Sequence, residues 1–287
     1  MKTIIKYLAA AALLALSACG KLPGQAQRIT VQAGIGPLTK VASTGDAAAF
    51  EAGDRIAVYA WLDDDKAVPA VRVVDGVANT LGADGKWVPA VPMLWKDASS
   101  KHYFLGIWPV HTVTNFTADP YTLDPADQKA SDLLLAANLT GIKPTATPVA
   151  LEFSHAMARL DVNLSFRNQW ETTPTVTAVS ATAKKTATVN LLTAAVTATG
   201  DAAKVVLAKK SDAAWSGLQV PQTGFRTITV TVDGKDYIFT HTSDIPLTAG
   251  KYTTVNLFVG RDRIELGSMT INDWLAGTTI EGGEAQD

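Results

Sequence analysis

Apolar and polar residues alternate with a period of two along much of the chain, the signature of strands with one buried face. Ile29, Val31, Ala33 and Ile35 share one parity, with Thr30, Gln32 and Gly34 between them, and Gly36-Pro37 stops the run. The same spacing recurs in Arg55 to Leu62, where Ile56, Val58 and Ala60 face one way. It returns at Leu160, Val162, Leu164 and Phe166, at Ile228, Val230 and Val232, and at Val255, Leu257 and Val259. Tyr103 to Trp108 is aromatic and apolar on both parities and reads as a core strand. Between these runs, Asp75-Gly76, Asp84-Gly85 and Asp233-Gly234 read as hairpin turns. Val176 to Leu192 is rich in threonine and alanine and reads as a hairpin turning near Lys184-Lys185. Phe116 to Lys129, interrupted by Pro120 and Pro125, reads as a long loop. Pro144 to Pro148 reads as a linker or a strand lead-in, and a domain boundary is expected near residue 147. The expectation is an all-β protein of short strands.

The N-terminus changes this picture by placing the chain outside the cytoplasm. Met1 to Ala18 has the tripartite form of a secretory signal, with Lys2 and Lys6 ahead of an apolar run from Tyr7 to Leu16. Leu16-Ser17-Ala18-Cys19 resembles a bacterial lipobox, in which the cysteine sulfur accepts the lipid and the signal is cut off before it. Cys19 is the only cysteine, so no intramolecular disulfide can form and core burial must stabilise the fold. The expected division is a signal peptide over 1–18, a first β-domain over 19–147 and a second over 148–287.

Charge and composition mainly exclude. The net charge is −2 and basic residues are scattered, so no footprint for nucleic acid is expected. The four histidines, His102, His111, His155 and His241, are widely spaced, without a ligand pattern for a metal. Asp63-Asp64-Asp65 lacks the glycine and distal glutamate of a calcium loop and reads as a solvated turn. No serine has a nucleophile-elbow setting and no glycine-rich phosphate loop is present, so neither catalysis nor a cofactor is expected. Trp61, Trp95 and Trp108 are expected to anchor cores or loops, with a sugar-stacking platform as the competing reading.

Several blocks together resemble the fimbrillin-like lipoproteins of Bacteroides-type bacteria. They are Phe50 to Ala60, Tyr103-Phe104-Leu105-Gly106 before Trp108-Pro109, Asp132-Leu133-Leu134, Leu151 to Leu160, Val220-Pro221-Gln222, Leu247 to Tyr252, and Ile271-Asn272-Asp273-Trp274. The resemblance implies two transthyretin-like β-sandwiches in tandem. It also implies a stalk or tip subunit of an adhesive surface pilus, lipid-anchored at the outer membrane as a precursor. In that family a trypsin-like protease removes the first strand, and a strand from another pilin subunit fills the groove. Here Ile29, Val31, Ala33 and Ile35 would be the removable strand, with Lys40 as the cleavage candidate and Arg28 as a second. The family's cleavage residue is commonly arginine, so Lys40 is a departure. Met269 to Ile280 is a candidate donor strand. The alternative reading is a monomeric outer-membrane lipoprotein that binds glycans or a host protein receptor.

Overall fold

A computed structural model of the 287-residue chain describes residues 27–36, 49–62 and 71–274. Strand β5 (His102–Trp108) is buried at every position, because both of its neighbours and both of its faces are covered. It lies mid-sheet, between β2 (Arg55–Leu62) and β7 (Leu134–Ile142). Beyond β2 come β3 (Val74–Leu81) and β4 (Trp87–Pro89); beyond β7 come β8 (Val149–His155) and, at the edge, β1 (Val31–Ile35). These seven strands form one sheet in the order β1-β8-β7-β5-β2-β3-β4.

Strand β2 is buried on both faces rather than one. Ile56, Val58 and Ala60 enter one core with Phe104, Leu151 and Phe153, while Ala57, Tyr59 and Trp61 enter another that continues into the C-terminal half. The two ends of the sheet meet around the first core. Trp87 of β4 donates its indole N–H to the carbonyl of Ala33 in β1 at 3.3 Å.

The C-terminal half comprises two further sheets. One has β10 (Val176–Asn190) and β14 (Thr227–Val232) at its centre, with β11 (Ala195–Val206) and β15 (Lys235–Thr240) outside them. The other runs β12-β13-β9-β16-β17, from Ala208–Lys209 through Ala214–Gln219, Ala158–Phe166 and Lys251–Val259 to Ile264–Asp273. Leu160, Val162 and Leu164 of β9 share a core with Val179, Ile228 and Val230 of the facing sheet. That is the inward alternation of a β-sandwich.

Three local expectations are corrected. Val176 to Asn190 is one strand; a register shift between Lys184 and Thr186 absorbs the lysine pair as a bulge, and the reversal comes after Asn190. Asp75-Gly76 lies inside β3, opposite a register shift in β2, while Asp84-Gly85 makes the turn into β4 with Gly85 at φ +76°. Phe116 to Lys129 contains β6 (Asp119–Thr122), which pairs with β10 and tolerates Pro120 as a short edge strand.

The chain leaves the seven-stranded sheet only after His155. Strands β7 and β8, on either side of residue 147, are neighbours within it, so Pro144 to Pro148 connects strands of one sheet.

Candidate functional site

The first strand seals the first core. β1 runs parallel to β8 in register from Val31↔Val149 to Ile35↔Phe153. At its start Val149 donates its N–H to the carbonyl of Thr30, and at its end Gly36 donates to the carbonyl of Phe153, both at 2.8 Å. The residues just before it lie against another segment. Ile29 N–H donates to the Met93 carbonyl at 2.8 Å, and Trp95 N–H donates to the Gln27 carbonyl at 3.1 Å.

Alternation then decides what the strand contributes. Ile29 is 1% exposed and Val31 5%, and both belong to the first core; Ala33 and Ile35 pack against it half-buried. Gln32, of opposite parity, is exposed. Fully burying Ile29 and Val31 contributes about 1.5–3 kcal/mol each, as upper values. Phe50 closes the far end, its ring 5.2 Å edge-on from both Trp87 and Phe153. Phe153 has room there because residue 106 is glycine: a Cβ would sit 2.6 Å from its ring.

Arg28 is exposed and bridges to Leu94, ahead of the strand. Cys19 and Lys40 lie outside the described residues. Lys40 is nevertheless the only basic residue between Gly36 and Asp54, hence the only trypsin-type site in the connection from β1 to β2. Cleavage at Arg28 would leave β1 joined to the body; cleavage at Lys40 would separate it.

The C-terminal strand sits differently. β17 pairs antiparallel with β16 over nine register positions, so Met269 to Asp273, the first five residues of the candidate donor, is bonded into its own sheet. Trp274 N–H donates to the Gly250 carbonyl at 2.8 Å, and its ring stacks on His155 at 3.7 Å and 4°. His155 also bonds Asp132 at 2.8 Å, so the end of β8 holds both the segment ahead of β7 and the Trp274 ring.

Trp61, Trp95 and Trp108 are all buried. Among the described residues no cluster of His, Cys, Asp or Glu could hold a metal ion. No helix there is long and apolar enough to cross a membrane. What reading the sequence missed is the second partner of the first strand. Met93-Leu94-Trp95 follows Pro92 and is apolar at all three positions, so no alternation in the sequence marks it as a partner.

A family model described as fimbrillin-like matches residues 39–274. The chain belongs to that family. Membership makes it a structural protein rather than an enzyme. The fold is shared with solved structures. A candidate cell adhesion protein from Bacteroides uniformis has a TM-score of 0.67 at 21% identity, covering 86% of this chain and 98% of that one. Another, from Bacteroides ovatus, has a TM-score of 0.69 at 17% identity, covering 88% and 100%. A fimbrial protein from Bacteroides vulgatus has a TM-score of 0.55 at 10% identity, covering 86% and 99%. No curated protein matches the chain.

Proposed function

We propose that this fimbrillin-like protein is a stalk or tip subunit of an adhesive surface pilus, assembling by exchange of its first strand. The observation that carries the reading is the seat of β1. The strand fills a core with Ile29 and Val31, lies at a sheet edge, and is joined to the body through a connection whose single basic residue is Lys40. Its loss exposes backbone donors and acceptors of β8 together with an apolar slot, which an extended strand of another subunit satisfies by β-augmentation. Donor-strand complementation between pilins is this mode of association.

The precursor is exported, lipidated at Cys19 and held on the outer membrane. A protease that accepts lysine then cuts at Lys40, releasing anchor and strand together. The two-domain division fits this scheme with its boundary moved to Ala156-Met157, where the chain leaves the first sheet. The buried rings of Trp61, Trp95 and Trp108 leave the glycan-binding alternative without a stacking surface at those positions.

Mild trypsin treatment of the purified precursor is expected to cut at Lys40 and yield heat-sensitive, SDS-resistant oligomers. Lys40→Gln should remain a monomer. A ladder formed by Lys40→Gln, or a chain cut at Lys40 that never oligomerises, would overturn the proposal.

A further inference from the structure

Between Lys86 and Lys96 the surface carries an uncharged apolar run, Trp87-Val88-Pro89-Ala90-Val91-Pro92-Met93-Leu94-Trp95. Trp87, Met93 and Trp95 point inward and are buried. Val88, Val91 and Leu94 do not: they are 58%, 55% and 40% exposed, and Ala90 and Pro92 are exposed between them. Isolated exposed apolar residues need no explanation. Here, however, three of the ten large exposed apolar side chains among the described residues fall within seven positions.

The loop is also fixed in place. Two prolines stiffen it, Ala90 N–H donates to the Ala78 carbonyl at 2.8 Å, and Met93 and Trp95 are bonded to Ile29 and Gln27. Its outward face is therefore a built feature of the surface.

What this face meets follows from where the chain leaves it. Gln27 is bonded to Trp95, beside Leu94, and Cys19 is eight residues upstream. Eight residues reach at most about 26–29 Å when fully extended. A lipid on Cys19 would therefore hold this loop within that distance of a bilayer. Tethering at such range gives a weak contact an effective concentration on the order of millimolar. The acyl chains on Cys19 would anchor the chain by themselves, so the apolar contact orients the tethered protein rather than holding it at the membrane. Arg28, bridged to Leu94, and Lys96 place cations at the rim, suited to lipid phosphates; Lys86, on the other flank, is paired with Asp84 at 3.2 Å.

We propose that residues 88–94 form a membrane-contact loop, inserting Val88, Val91 and Leu94 into the bilayer interface while the chain is tethered. The inference rests on lipidation of Cys19 as the source of the tether. The contact orients the precursor with its first-strand seam toward the membrane, and removal of β1 ends it, because tether and loop partner leave together.

The test places an environment-sensitive fluorophore on Ala90→Cys in the full lipidated precursor, where Cys19 is acylated. Ile238→Cys, on the exposed edge of β15, serves as the control site. On phosphatidylglycerol–phosphatidylcholine vesicles the label at position 90 should shift to the blue and be quenched by brominated acyl chains, and the label at 238 should do neither. Adding Val88→Ser, Val91→Ser and Leu94→Ser, all at exposed positions, should abolish the shift. A parallel chain starting at Gly20 with an N-terminal polyhistidine, bound to nickel-chelating lipid, separates the two assumptions. If only this chain reaches the vesicles and its label shifts, lipidation has failed and the loop stands. If it is tethered and the label does not shift, the loop proposal is overturned. A shift that grows with protein concentration without vesicles also overturns it, by assigning the face to contact between copies.

Discussion

The first and last strands of the described chain are both sheet edges, yet they are held by different forces. β1 has five residues and one ladder partner, but it sends Ile29 and Val31, from its lead-in and first position, into a closed core. β17 has ten residues and nine register pairs with β16, but its side chains are half-buried or exposed, and Ile271 is 42% exposed. Stripping β17 would uncover backbone and the flank of a core that Ile264, Leu266 and Met269 touch only half-buried, its buried positions being filled from β9, β13 and β16. Stripping β1 would uncover the core itself. Only the second loss uncovers fully buried core side chains, which is the ground for proposing the acceptor groove at β1.

Truncation separates the two most strongly. Ile29→Ala leaves a cavity in a packed core and should cost about 2–5 kcal/mol. Ile271→Ala, at an exposed position, should stay within about 0.5 kcal/mol. Urea denaturation of the uncut chain measures both. Equal costs would break the distinction, because β1 would then be held as β17 is, by its backbone.

Much of this contrast was legible in the sequence. The period-two pattern of Ile29 to Ile35 specified the inward face, and the double-sided apolar run of Tyr103 to Trp108 specified a central strand. Pairing was not legible, because it joins segments far apart. Nothing near Val31 names Val149 as its partner, and nothing marks Met93 to Trp95 as the contact of Gln27 and Ile29. Turn chemistry misled wherever a bulge uses the same residues as a turn. Gly76 at φ +61° and Lys184-Lys185 both sit inside continuous strands for that reason. Pro144 to Pro148 leads into β8 at Val149, one of its two readings, since prolines punctuate the connection between two strands of one sheet as readily as a boundary between domains. At the candidate site Ile29 and Val31 could be picked out, whereas Phe50, Trp87 and Phe153 gather only through tertiary packing.

The next contrast lies at the far end of β17. Trp274 stacks on His155, and the Arg159 guanidinium lies 5.2 Å from its ring centroid. Trp274→Ala removes the ring pair, worth about 0.5–1.5 kcal/mol beyond the area it buries. Hydrogen exchange should then rise first at the end of β17 and leave β1 protected. If β1 amides lose protection together with β17, the two edges are energetically coupled through β8, which carries His155 at one end of its pairing and the β1 ladder along its length. The comparison would then be of one linked device rather than two independent edges.

The smallest expected effect concerns acidity, and it probes the boundary between the halves. His111 bonds Asp119 at 2.8 Å, just where β6 crosses to pair with β10 of the second half. The bond to Asp119 raises the His111 pKa above its ordinary value of 6.5, against the opposing effect of burial. A histidine whose folded pKa is raised contributes stability that is fully present below its unfolded pKa. That contribution is lost as pH rises through the folded value. His111→Gln keeps a side chain able to bond Asp119 but cannot take the proton, so it should flatten this dependence. The difference in urea midpoint between wild type and His111→Gln should be larger well below pH 6.5 than well above it. A difference independent of pH would mean that the pair acts through packing alone. Because β1 lies far along the chain from this contact, strand removal by trypsin should be unchanged in the variant. If His111→Gln instead speeds loss of β1, the junction between the halves helps to set how firmly the first strand is held.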